Sequence, residues 1–358
     1  MTTPGKKTTT KSKSRKKATK EGFFARNRLA VIIVSSILIA MMVGVAVFAL
    51  PSYKGAKTSL IIPAGSSSKA IADSLETRLG ATMGKRVYML WKLQGGTPAV
   101  AHGYYVVEPG CSAARISRNI ARGAQTPVTV SFNAVRTLEK LAVTVTKNME
   151  MTPDDFLHAC SVVLADSGFV ETQFPAAFIP DTYEFYYTTS PESFVARLLG
   201  YRNRYWTEER ISKARSMGLS PVEVATIASI VEEETAKIDE RPTVARLYMN
   251  RLAKGMKLQA DPTVKFAVGD ETIRRISGNM LKTDSPYNTY LYDGLPPGPI
   301  RIPERSTMEA VLNAPVNDYL YMCAREDFSG YHNFTSSYDV HRQNAARYQA
   351  ELNRRGIK

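Results

Sequence analysis

Three consecutive glutamates, Glu232-Glu233-Glu234, stand at the end of a segment whose apolar spacing is helical. A carboxyl group serves as a general acid near neutrality only where its surroundings disfavour the charged form, and burial against apolar side chains does this. At about 100° per residue, Val224, Ala225, Ile227, Ala228 and Val231 fall on one stripe of the helix. Glu233 projects opposite that stripe, where Lys237 at i+4 pairs with it in solvent. Glu232 and Glu234 fall near the two margins of the stripe, so both are open to desolvation. Glu232 lies over Ala225, Ala228 and Ser229, small residues that leave room for a substrate, whereas Glu234 lies over the bulkier Ile227 and Ile230. Spacing points first to Glu232 as a proton donor, with Glu234 next. A solvated acidic helix end is the competing reading, and spacing alone does not choose between the two.

The elements that must hold these carboxyls are legible around them. Ser220-Pro221-Val222-Glu223 opens the helix as a capping box, with proline at the first helical position. A second helix is predicted over Thr243–Lys254, closed by Gly255, and a third restarts at Asp261-Pro262 with Asp261 as its N-cap. Upstream, the periodicity gives helices over Arg136–Met149, Pro153–Ser167 and, as one long amphipathic element, Ser193–Lys213. Thr126–Phe132 alternates apolar and polar residues and reads as a strand. Pro296-Pro297-Gly298 forms a rigid turn suited to a cleft wall, with no chemistry of its own.

Nearer the N-terminus a weak repeat appears. Ile62-Pro63-Ala64-Gly65-Ser66 is followed by Ile71 and Leu75, and Glu108-Pro109-Gly110-Cys111-Ser112 by Ile116 and Ile120 at the same offsets. In each copy an extended segment (Ser59–Pro63, Tyr104–Glu108) meets a glycine turn, a serine N-cap region and a short amphipathic helix. Such a strand–turn–helix unit resembles the LysM modules that bind N-acetylglucosamine polymers; a structural βα spacer is the alternative.

Before the repeat, Leu29–Leu50 runs without a charged residue. At a rise of roughly 1.5 Å per residue this run spans a hydrocarbon core of about 30 Å. A cleaved signal peptide has an apolar region of roughly 7–15 residues and ends in a small-x-small site. Here the run is longer and ends in Phe48-Ala49-Leu50-Pro51, so a retained anchor is expected. The tail 1–28 holds ten of the 47 basic residues of the chain and one of its 33 acidic ones. Such a flank stays cytoplasmic and places everything after Pro51 outside. With the tail set aside, the 358-residue chain is only mildly basic, which argues against a dedicated nucleic-acid binder. Three scattered cysteines and four histidines without a His-Glu-x-x-His spacing argue against a disulfide scaffold and a metal enzyme, so no metal and no cofactor are expected.

Together the motifs resemble a known family. Ala228-Ser229-Ile230-Val231-Glu232-Glu233-Glu234-Thr235, Val244-Ala245, Asn250-Arg251-Leu252 and Gly255-Met256-Lys257-Leu258-Gln259 occur in order with Asp261-Pro262-Thr263-Val264 and Ser285-Pro286-Tyr287-Asn288-Thr289-Tyr290. Gly294-Leu295-Pro296-Pro297-Gly298-Pro299-Ile300 and Phe334 follow, and Pro180-Asp181-Thr182-Tyr183 precedes them. This order, over nearly all of residues 55–350, is similar to that of the endolytic murein transglycosylase (YceG-like) family. One departure is Asn133-Ala134-Val135-Arg136, which stands where the family commonly has a Glu-Gly turn.

The resemblance implies a lyase that cleaves the β-1,4 bond from N-acetylmuramic acid to N-acetylglucosamine within peptidoglycan strands and leaves a 1,6-anhydro end. It implies that Glu232 is the catalytic residue, and that Glu234, Asn250, Gln259, Asp261, Asn288 and Tyr290 orient it or hold sugar groups. Helix capping for Asp261, backbone satisfaction for Asn250 and simple packing for Tyr287 and Tyr290 are the alternatives. The expected fold class is α+β, divided into a cytoplasmic basic tail (1–28), a transmembrane helix (29–50), a LysM-like βα module (51–128) and a larger, mainly helical catalytic domain (129–358). The expected partners are peptidoglycan glycan strands, the bacterial cytoplasmic membrane through residues 29–50, and peptidoglycan synthases. A non-catalytic anchored peptidoglycan binder and a hydrolytic muramidase are the rival functions.

Overall fold

The computed structural model describes residues 1, 2, 5, 27–270, 273, 276 and 278–356. The expected basic tail lies almost wholly outside the described residues. The chain divides into two compact units, Met1–Thr126 and Pro127–Lys358. It is α+β, mostly helical, with three small two-stranded antiparallel sheets among the described residues.

In the first unit, α1 (Arg28–Ala49) is a 22-residue helix with no buried residue, and by length and composition it can cross a membrane. Strands β1 (Thr58–Ile62) and β2 (Gly103–Val107) pair antiparallel, with Leu60 opposite Tyr105. Each strand leads through a glycine turn into a helix, α2 (Ser68–Leu79) or α5 (Ala113–Ala121). Gly65 and Gly110 adopt φ of 71° and 85°, a left-handed conformation that glycine reaches without a Cβ clash. Ser67 and Ser112 cap the two helices by accepting from Ala70 N and Arg115 N. Ile71, Leu75, Ile116 and Ile120, the repeat's shared apolar positions, all enter one core. Both copies of the repeat thus fold as the same strand–turn–helix unit, with α3 (Ala81–Leu93) and α4 (Pro98–Ala101) inserted between them and Trp91 of α3 fully buried beside them.

In the second unit, β3 (Val128–Phe132) alternates buried and exposed residues as its sequence does, and pairs antiparallel with β4 (Asp181–Phe185). Helices α6 (Leu138–Thr146) and α7 (Pro153–Asp166) open at Thr137 and at a Thr152/Asp155 capping box. The single long helix expected over Ser193–Lys213 is two, α8 (Pro191–Tyr205) and α9 (Glu208–Ser216). Thr207 breaks it: its side chain accepts from Arg210 N and so starts a new helix, and Glu208 and Glu209 favour that terminus electrostatically.

Helix α10 (Pro221–Glu234) carries the glutamates and opens with the expected capping box, Ser220 N donating to Glu223 at 2.7 Å and Glu223 N to Ser220 at 3.3 Å. It has no solvent face over its middle turns, because every residue from Val224 to Glu232 is buried. Helices α11 (Arg241–Ala253), α12 (Asp261–Val268) and α13 (Arg305–Leu312) pack around it. Ser229 Oγ accepts from Ile300 N and donates to Thr226 O, while the Thr226 hydroxyl donates to Val222 O within the helix. Strands β5 (Tyr321–Ala324) and β6 (His332–Thr335) and helix α14 (Tyr338–Arg354) complete the unit.

Candidate active site

Helix α10 stops at Glu234, and Thr235 leaves it in an extended conformation (φ −139°, ψ 132°). The three glutamates consequently face three surroundings. Glu233 is not a solvated residue paired with Lys237, since the helix ends before an i+4 partner exists. Its carboxylate takes Arg301 Nη1 at 2.6 Å and Arg136 Nη2 at 2.9 Å. Arg301 also donates to Ala134 O, and Val135 O accepts from Ile302 N, so the segment that departs from the family pattern is bound to this ion-pair network.

Glu232 points into the protein, its side chain 3% exposed. Oε2 accepts from Glu304 N and from Thr307 Oγ1, both at 2.8 Å, and Oε1 lies 3.2 Å from Arg301 Nε. Thr307 Oγ1 in turn accepts from Arg241 Nη1 at 2.7 Å. The small residues expected to leave substrate room beside Glu232 are packed: Ala225, Ala228 and Ser229 are buried in the core around α10.

Glu234 lines a cleft of about 450 Å³ that also holds Gln259, Asp261 and Tyr290. Oε1 of Glu234 accepts from the Tyr248 hydroxyl at 2.6 Å. Burial pushes the Glu234 carboxyl up to about 7; the Tyr248 hydrogen bond works against this and the charge of Asp261 adds to it. A carboxyl at that value is protonated for much of the time near neutrality.

Of the supporting residues expected from sequence, Gln259, Asp261 and Tyr290 join Glu234 in the cleft. Asp261 is the first residue of α12 and does not cap it; its Oδ1 accepts from Tyr290 Oη at 2.7 Å. Burial, then the bond to Asp261, hold the Tyr290 phenol well above its usual range. Gln259 adopts φ +51°, a left-handed conformation uncommon for a residue with a side chain, while its N–H donates to Thr289 O at 3.1 Å and its Oε1 accepts from Arg251 Nη2 at 2.6 Å. Asn288 sits one step behind, fully buried, donating to Leu281 O and Thr283 O and accepting from Tyr290 N at 3.1 Å. Asn250 is not in the cleft: its amide donates to Asn317 O and Tyr319 O, fastening α11 to the segment just before β5. Tyr287 packs on Phe266, ring centroids 4.6 Å apart, beside a larger hollow of about 760 Å³. That hollow contains none of the expected site residues, and the chemistry concentrates in the smaller cleft.

Tyr248, Arg251 and His332 line the same cleft and were not singled out by sequence for a role there. Tyr248 follows Glu234 by fourteen positions, across the turn into α11, and no short-range spacing links the two. His332 lies on β6, and only the fold brings it to α10.

The fold and the cleft define an α+β protein with an N-terminal apolar helix and a half-buried carboxyl, Glu234, lining a polar cleft. Residues 60–347 match the model of the YceG-like family, and the chain belongs to that family. It is 28% identical over 335 residues to an endolytic murein transglycosylase of Bacillus subtilis, covering 85% of this chain and 88% of that protein. It is 27% identical over 296 residues to an endolytic murein transglycosylase of Streptococcus pneumoniae, covering 74% of this chain and 53% of that longer protein. The 2.6 Å crystal structure of a YceG-like protein of Listeria monocytogenes superposes with a TM-score of 0.53 at 26% identity, covering 80% of this chain and 98% of that one.

Proposed function

We propose that the protein is a membrane-anchored endolytic murein transglycosylase, a lyase acting on peptidoglycan glycan strands, and that Glu234 is its proton donor. Its membership of the YceG-like family and its similarity to murein transglycosylases over most of its length support the activity. The observation that carries the assignment of the residue is the contrast between adjacent glutamates. Both Glu232 oxygens are engaged by Glu304 N, Thr307 and Arg301 inside the protein, whereas Glu234 lines a cleft and holds its proton up to about 7. Glu232 thus serves as the buried anchor of α13 and the Arg301 loop.

Cleavage needs a proton on the departing glycosidic oxygen as the bond opens through an oxocarbenium-like state. Glu234 supplies it. The C6 hydroxyl of the muramic sugar then closes on the anomeric carbon and gives up its own proton, so a 1,6-anhydro ring forms and no water is consumed. The Glu234 carboxylate left by the first step is competent to receive that proton. Gln259, Asp261 and Tyr290 offer amide, carboxylate and phenol groups to sugar hydroxyls and N-acetyl groups along the cleft.

In this reading α1 anchors the chain in the cytoplasmic membrane, the tail 1–28 stays inside, and the catalytic domain (129–358) works outside on nascent strands beside peptidoglycan synthases. The βα module (51–128) engages glycan in the manner of LysM. Digestion of purified peptidoglycan followed by mass spectrometry of the released fragments tests the activity. Anhydro-muramic ends are expected; free reducing ends instead indicate a hydrolase, and intact strands a binder.

A further inference from the structure

The cleft holds a second proton-handling group that the reaction above does not use. His332 lines it from the start of β6, and its Nδ1 lies 2.8 Å from Oε2 of Glu240. The Glu240 side chain is 5% exposed. It also accepts from His332 N at 2.7 Å and from Thr235 Oγ1 at 3.0 Å. Thr235 directly follows Glu234, and its hydroxyl also accepts from Lys237 N at 3.0 Å. Glu240 therefore fixes His332 by backbone and ring at once and ties it to the residue next to the proton donor. A carboxylate only accepts, so Nδ1 is the donor in this bond, and a ring that carries a single proton has its lone pair on Nε2. Among the described residues Nε2 has no hydrogen-bond partner.

We propose that His332, held by Glu240, is a second catalytic residue: it receives the proton of the C6 hydroxyl at Nε2 while Glu234 protonates the leaving oxygen. The inference rests on the reading of Glu234 given above. In the balanced step the glycosidic C1–O bond breaks and its oxygen takes the Glu234 proton. The C6 oxygen bonds to C1 and its proton passes to Nε2. The resulting imidazolium faces the Glu240 carboxylate, which stabilises it, and the ring then loses a proton to solvent as Glu234 regains one. Glu240 is a positioning residue in this scheme, since it touches His332 and not the sugar.

The test uses the full chain in detergent. Nitrogen-15 spectroscopy of the imidazoles reads the tautomer, and anhydro-end formation is measured for wild type, His332→Gln, Glu240→Gln and Glu234→Gln. The wild-type His332 ring is expected to be protonated on Nδ1 and bare on Nε2. In Glu240→Gln the amide oxygen still accepts from His332 N, but the amide NH₂ donates to Nδ1, so the ring moves its proton to Nε2. Both His332→Gln and Glu240→Gln are expected to lose about 10²–10⁴-fold in kcat with KM little changed, as a general base does. An Nε2–H tautomer in the wild type overturns the proposal. So does a folded His332→Gln protein with kcat within about threefold of wild type. If Glu234→Gln is inactive while His332→Gln turns over normally, only the histidine role fails. If Glu234→Gln turns over normally, the reading of Glu234 itself fails.

Discussion

The Tyr248 hydroxyl donates to Oε1 of Glu234 at 2.6 Å, from one helix to the end of another. The bond stabilises the carboxylate against a burial that favours the acid, and the balance sets the carboxyl at about 7. A proton donor at that value is matched to neutral conditions, because it is charged and uncharged in comparable amounts.

Removing this bond should move the balance in a known direction. As the proposed donor, Glu234 acts when protonated, so turnover is expected to fall as pH rises through its pKa. Tyr248→Phe deletes the contribution that lowers the pKa and leaves burial in place. The descending limb of the kcat–pH profile is therefore expected to shift to higher pH. A limb that stays or moves to lower pH contradicts the role given to Tyr248.

The same carboxyl leaves a mark on stability. Its folded pKa lies near 7 against an ordinary value of 4.5, so the folded protein binds this proton more tightly than the unfolded chain does. The folded state is penalised as pH rises through that interval, fully above it and not at all below it. Glu234→Gln removes the penalty. Its melting temperature relative to wild type is expected to rise between about pH 4.5 and 7 and then level off. A difference that is flat across this range removes the basis for calling Glu234 a neutral-range acid.

Glu232 should behave as a structural residue. Glu232→Gln retains an acceptor for Thr307 and Glu304 N but loses the charge facing Arg301 Nε. The bonds from Glu304 N and Thr307 lose their charge assistance, about 1.5–3 kcal/mol against about 0.5–1.5 kcal/mol for neutral ones, and Glu233 still pairs with Arg301. A loss of roughly 1–3 kcal/mol in stability is expected by denaturant titration, without the large fall in turnover that Glu234→Gln produces.

The proposed orientation rests on the basic residues that precede α1 in the sequence. A reporter active only outside the cytoplasm, fused after Lys358, is expected to be active, and one that works only inside is expected to be silent. The opposite pair of results reverses the topology.

Much of the scaffold is legible in the sequence because it is written in local chemistry. Ser220/Glu223 and Thr152/Asp155 declare helix starts, the glycine turns at Gly65 and Gly110 declare the repeat, and the alternation of Val128–Phe132 declares a strand. The site is legible only in part. A stripe drawn on an isolated helix assumes one solvent face, but α10 is enclosed over its middle turns, which reverses the surroundings read for Glu232 and Glu234. Asp261 looks like a cap from its place before Pro262, yet Ala260 occupies the cap position and Asp261 binds Tyr290. The partners of the glutamates come from far along the chain: Arg136 lies 97 residues from Glu233, and Thr307 lies 75 from Glu232. No periodicity encodes contacts of that range.

Glu234 and not Glu232 is proposed to deliver the proton that opens the glycan strand. Formation of 1,6-anhydro-muramic ends by wild type, Glu232→Gln and Glu234→Gln, each shown to be folded, tests it most directly. Glu234→Gln is expected to lose about 10²–10⁴-fold in rate, and Glu232→Gln, compared at a temperature where both are folded, to retain turnover within about tenfold of wild type. An active Glu234→Gln protein beside an inactive, folded Glu232→Gln protein contradicts it.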